Sequence, residues 1–179
     1  MLTFVDNQVL ERAKQWQEKA NHQNNSFDRF ISLWIAYNMV YGLYSKKEYP
    51  NKSPMENDSG KAIRIKKLIR DSEPLKQHII QITPEFAEML NIFREEYWKK
   101  DIISLREHLL NASKKRSYEH LLDTILKLLY KIRCNLFHGQ KELISTPQNR
   151  LLEFCSNLLV IILDESINRF CACEQVARA

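Results

Sequence analysis

Arg133 and His138 are the residues whose types and spacing best suit chemistry, a guanidinium and an imidazole with four residues between them in Ile132-Arg133-Cys134-Asn135-Leu136-Phe137-His138-Gly139. A guanidinium can hold two oxygens of an anion at once, and an imidazole can take or give a proton near neutral pH. Together such groups could hold an anion and move a proton beside it. Asn135 stands beside the pair and Lys141 just beyond it. The competing reading is structural, with the arginine in a salt bridge at a helix end and the histidine capping the last carbonyls.

The pair must be brought together by the element that carries it. Tyr118, Leu121, Leu122, Ile125, Leu129 and Ile132 form an unbroken helical stripe leading into the motif. In a continuing helix, residues five apart sit roughly 140° from each other, so Arg133 and His138 converge only if the helix breaks between or just after them. Gly139 is well placed to end it.

With this segment in view, the chain resembles the HEPN superfamily, all-α proteins recognised by an arginine, four to six residues, and a histidine. The string Arg133-Cys-Asn-Leu-Phe-His138-Gly139 is similar to the bacterial Apea-like branch, and Trp34-Ile-Ala-Tyr-Asn38 is similar to a further signature of those proteins. The resemblance implies a metal-independent endoribonuclease that leaves a 2′,3′-cyclic phosphate, needs no cofactor, and works in a toxin, abortive-infection or antiviral system. In such cleavage the ribose 2′-hydroxyl attacks its own phosphate, so a proton must move and the charge on a phosphorane must be neutralised. The resemblance makes Arg133 and His138 the catalytic pair, His138 in the acid/base or polarising role and Arg133 clamping the phosphate, and implies a homodimer in which two pairs face one another, with an antitoxin or defence protein as a further partner. After the arginine the family usually has a polar residue, and here stands Cys134. The alternative is therefore an inactive HEPN-like module that binds RNA or nucleotide, or serves as a dimerisation surface. Toxins of this family silenced by nucleotidyl transfer carry a tyrosine two residues after the histidine, where this chain has Gln140.

The rest of the chain is read as the scaffold. Its 179 residues, 44% of them hydrophobic, suffice for one domain with a core, and three glycines disfavour turn-rich sheets and glycine-rich phosphate loops. The spacing predicts a helix from Val5 to about Asn21 and a central one capped by Ser26. An exposed loop follows from Ser45 to Gly60, then a basic helix over Lys61 to Arg70. Two short helices are expected next, one after Pro74 and one capped by Thr83 and running to about Trp98. A further helix is expected over Ile102 to Leu110, then the striped helix, and a last one from about Asn149 to Cys173. The fold class is all-α, a single-domain bundle of about five to seven helices.

Other candidates are weaker. Lys61, Arg64, Lys66, Lys67 and Arg70 occur in ten residues without an acid, so Lys61, Arg64 and Lys67 are candidates to track an RNA backbone. Asn38 lies on an apolar stripe, where a buried carboxamide must find partners and could orient the Arg/His segment. Trp34, Tyr37 and Tyr41 read as core aromatics rather than a stacking platform. The remaining histidines, 22, 78, 108 and 120, read as ordinary surface residues. The four cysteines (134, 155, 171 and 173) form no CxxC pair, and no metal-binding spacing occurs. A net charge of +5 permits nucleic acid as a partner. With no secretory leader and no apolar run of membrane length, a soluble cytoplasmic protein without membrane association is expected.

Overall fold

A computed structural model describes residues 3–50, 58–93, 100–115, 117–137 and 146–176. The protein is all-α, and its elements are α1 (Phe4–Asn21), α2 (Ser26–Glu48), α3 (Asp58–Arg64), α4 (Lys66–Ile69), α5 (Glu73–Met89), a 3₁₀ turn (Leu90–Phe93), α6 (Lys100–Lys114), α7 (Tyr118–Phe137) and α8 (Thr146–Val176). Its contacts gather into two compact units. One joins residues 1–69 with 156–179, and the other is residues 70–155, so α8 contributes to both.

The first unit is built on α1 and α2. Thr3 begins α1 with a reciprocal capping box, its Oγ1 accepting from the Asp6 N–H at 3.2 Å while its own N–H donates to Asp6 Oδ2 at 2.8 Å. Asn25, not Ser26, caps α2. Its Oδ1 accepts from the N–H groups of Phe27 (2.8 Å) and Asp28 (3.3 Å), which satisfies two orphan donors and lets Ser26 become the first helical residue.

The central role expected of α2 holds. Phe30, Leu33, Ala36, Tyr37, Val40 and Tyr41 are all buried, and the Tyr37 ring lies edge-on to both Trp34 (5.5 Å) and Tyr41 (5.2 Å). These aromatics are core residues. The Tyr37 hydroxyl reaches the Ala62 carbonyl at 2.7 Å, pinning α3 onto α2, and burial pushes that phenol well above its usual range. From α8, Phe170 meets Tyr44 edge-on at 6.4 Å.

Two expectations in this unit are corrected. The loop expected from Ser45 to Gly60 is shorter at both ends, because α2 runs on to Glu48 with Ser45 buried and α3 already begins at Asp58; residues 51–57 lie outside the described residues. The basic stretch is not one helix. The chain turns at the fully buried Ile65, whose carbonyl accepts from Leu68 N–H at 2.9 Å, so the cations are divided between α3 and α4.

In the second unit a single helix, α5, spans Glu73–Met89 where one short helix is expected to give way to another at Thr83. Residues 94–98, toward the expected end of that second helix at Trp98, lie outside the described residues. Ser72 caps α5, accepting from the Leu75 N–H at 3.3 Å, and the helix continues through Pro84. An internal proline costs about 3 kcal/mol because it deletes one N–H and crowds the preceding turn. Here Ile79, Thr83, Phe86, Ala87 and Leu90 are buried on both sides of it, and that shared stripe offsets the cost. Thr83 is no cap: it is fully buried and its hydroxyl donates to the Ile79 carbonyl at 2.6 Å. Phe86 stacks on Phe154 of α8 with centroids 5.2 Å apart, and Arg106 Nε of α6 donates to the Ala87 carbonyl at 2.7 Å near the end of α5.

Candidate functional site

The helix that carries the motif is α7. From Leu121 on, its stripe is buried as the periodicity requires, with Leu121, Leu122, Ile125, Leu129 and Ile132 at 2% exposure or less, while Tyr118 at its head is only half-buried; this fixes which residues face away. Arg133 is half-buried directly after Ile132, in the last turns of the helix. Its Nη1 lies 3.9 Å from Cys134 Sγ, a weak contact between sequence neighbours.

The helix is unbroken through Phe137, the residue before His138. A break between the two site residues, one of the two ways they could converge, is thereby removed for the span up to 137. The break expected just after them falls at Gly139, and His138, Gly139 and Lys141 lie outside the described residues, as does the side chain of Asn135.

Asn38 does not meet the premise on which it was chosen. It is exposed on α2, because the buried face runs through Leu33, Trp34, Tyr37, Val40 and Tyr41 and leaves position 38 toward solvent. Water can satisfy its carboxamide there. Asn38 belongs to the first unit and Arg133 to the second.

The basic candidates also lie in the first unit. Lys67 is exposed, while Lys61 and Arg64 are half-buried. The Arg64 guanidinium lies over the Tyr49 ring at 4.6 Å and its Nη1 donates to Ser45 Oγ at 3.2 Å, and Lys67 Nζ lies 5.8 Å from the same ring. Sequence reading missed this aromatic, which no basic periodicity announces. Arg64 is thus partly engaged by its own protein, and Lys67 is the more accessible cation.

Among the described residues no group of three His, Cys, Asp or Glu side chains is placed to hold a metal ion. Cys134, Cys155 and Cys171 are free thiols, and burial pushes the Cys155 thiol far above its usual range. His22, His108 and His120 are exposed, while His78 is half-buried. No described helix is long and apolar enough to cross a membrane. No protein-family description, curated protein or solved structure matches the chain.

Proposed function

We propose that this protein is a HEPN-type endoribonuclease that cleaves RNA by 2′-hydroxyl attack without a metal, using Arg133 and His138. The observation that carries this reading is the position of Arg133, half-buried near the end of a helix that continues to the residue before His138. A guanidinium there can clamp two non-bridging oxygens, and the His138 imidazole can transfer the proton. Cytoplasmic RNA is the substrate, and an antiviral or toxin system is the setting the resemblance implies.

One Arg/His pair supplies a single cation and a single imidazole. A two-fold dimer doubles both, since an isologous interface places the same segment of each chain on either side of its axis. Lys61, Arg64 and Lys67 contribute to RNA affinity, with Asn135 and Lys141 supporting the pair.

Purified protein assayed on RNA and on DNA in excess EDTA tests the proposal. RNA cleaved to 2′,3′-cyclic phosphate ends, with DNA intact, is the expected result. Activity abolished by chelation and restored by a divalent ion overturns the mechanism.

Cys134 favours a second reading. A thiol is a weak partner where the family usually has a stronger polar group, and the Arg133 contact to its sulfur is correspondingly long at 3.9 Å. In that reading the protein is an inactive module that binds RNA or nucleotide. It then retains its RNA affinity in His138→Ala and cleaves nothing as wild type.

A further inference from the structure

A cleft of about 430 Å³ lies between α6 and α7 in the second unit, within the size range of small-molecule sites. His108, Asn111 and Lys115 line one side, and His120, Asp123 and Lys127 line the other. Leu105 and Ala112 add apolar surface. The cleft is distinct from the proposed RNA site: its α7 residues recur at 120, 123, 124 and 127, and Arg133 falls about 130° round the helix from that stripe.

The side chains are set for an anion. Four of them, His108, Lys115, His120 and Lys127, present N–H groups, against one carboxylate. That carboxylate is already engaged, with Asp123 Oδ2 held 2.6 Å from Lys127 Nζ. An ammonium has three donors, so Lys127 can hold Asp123 and a ligand oxygen together. His120 is fixed by a hydrogen bond between its Nδ1 and Ser117 Oγ, which leaves Nε2 as the nitrogen available to a ligand. A metal is disfavoured by the geometry, since His108, His120 and Asp123 do not form a group of three able to share an ion.

We infer that this cleft binds a small phosphate monoester, its phosphate held by Lys115, Lys127 and the two imidazoles and its body lying against Leu105 and Ala112. A monoester approaches two negative charges at neutral pH, more than the single charge of a diester, and suits two ammonium groups. A cleft of this volume with a carboxylate on its wall fits one compact molecule better than a polyanion passing through.

The imidazole NMR signals of His108 and His120, followed in the full-length protein at constant ionic strength, test the assignment. Ribose 5-phosphate should shift both signals saturably and inorganic phosphate should do so more weakly, whereas ribose should not. Lys115→Gln and His108→Gln, both at exposed positions that the fold tolerates, should each weaken ribose 5-phosphate by about tenfold, the scale of a lost charge-assisted hydrogen bond. Absence of saturation below about 1 mM overturns the proposal. So does equal binding of ribose, tighter binding of an RNA dinucleotide lacking a terminal phosphate, unchanged affinity in both folded variants, or zinc binding in place of phosphate. None of these outcomes depends on RNA cleavage, so the cleft and the ribonuclease reading stand or fall separately.

Discussion

Lys47 Nζ lies 3.2 Å from Asp6 Oδ2, joining the last turn of α2 to the first turn of α1 through the same carboxylate that closes the Thr3 capping box. One side chain therefore serves the start of one helix and the packing of another. The carboxyl is held below its ordinary value chiefly by the Thr3 backbone N–H and then by Lys47, against the opposing effect of burial.

Asp6→Asn should lower stability at pH 7 by about 1 kcal/mol, because the amide oxygen can still accept from the Thr3 N–H but the charge that strengthens that bond and pairs with Lys47 is gone. Because the folded-state value is depressed, the carboxylate's contribution is complete above the unfolded value near 4 and is lost as pH falls through the folded one. Urea unfolding at pH 7 and pH 3 checks this. The gap between wild type and variant should be present at pH 7 and shrink at pH 3.

Gly42 lies inside α2 with nothing within 4 Å of where a Cβ would stand. Gly42→Ala should raise stability by about 0.5–1 kcal/mol, the propensity difference in a helix interior. Chemical denaturation is the check, and a loss of stability would mean that the added methyl meets an obstruction.

Phe86 is fully buried and stacked on Phe154. Truncation to alanine removes the stacked ring and leaves a cavity, so Phe86→Ala should cost about 3–5 kcal/mol in unfolding free energy, measured by urea denaturation.

Arg133→Ala and His138→Ala should each reduce RNA cleavage at least about 10²-fold while circular dichroism stays unchanged, the scale on which charge-stabilising and acid/base groups act. Near-full activity in either folded variant would remove that residue from the chemistry.

Replacing Lys61 and Lys67 with glutamine should flatten the salt dependence of RNA binding, by about 0.7 in log–log slope for each single-strand phosphate no longer neutralised. Arg64→Gln should cost stability as well as affinity, because Arg64 also touches Tyr49 and Ser45. An unchanged slope in the double lysine variant returns α3 and α4 to an ordinary solvated surface.

The sequence by itself determined what local periodicity controls. The stripe of α7, the breadth of the apolar surface on α2 and the all-α class follow from residues three and four apart sharing a face. The Arg133 to His138 spacing is likewise a matter of sequence, as is the presence of Gly139 after it.

Tertiary structure decided what depends on competition between distant partners. Thr83-Pro84 has the local signature of a helix start, yet residues on both sides of it are buried on one stripe, and burial along α5 outweighs the proline's cost. Periodicity placed Asn38 among apolar residues, but α2 is apolar nearly all round, and only its packing selects the face that meets solvent. His108 and His120 look like ordinary surface histidines in sequence. They line one cleft because α6 and α7 pack side by side, a relation between residues on two different helices that no helical period expresses.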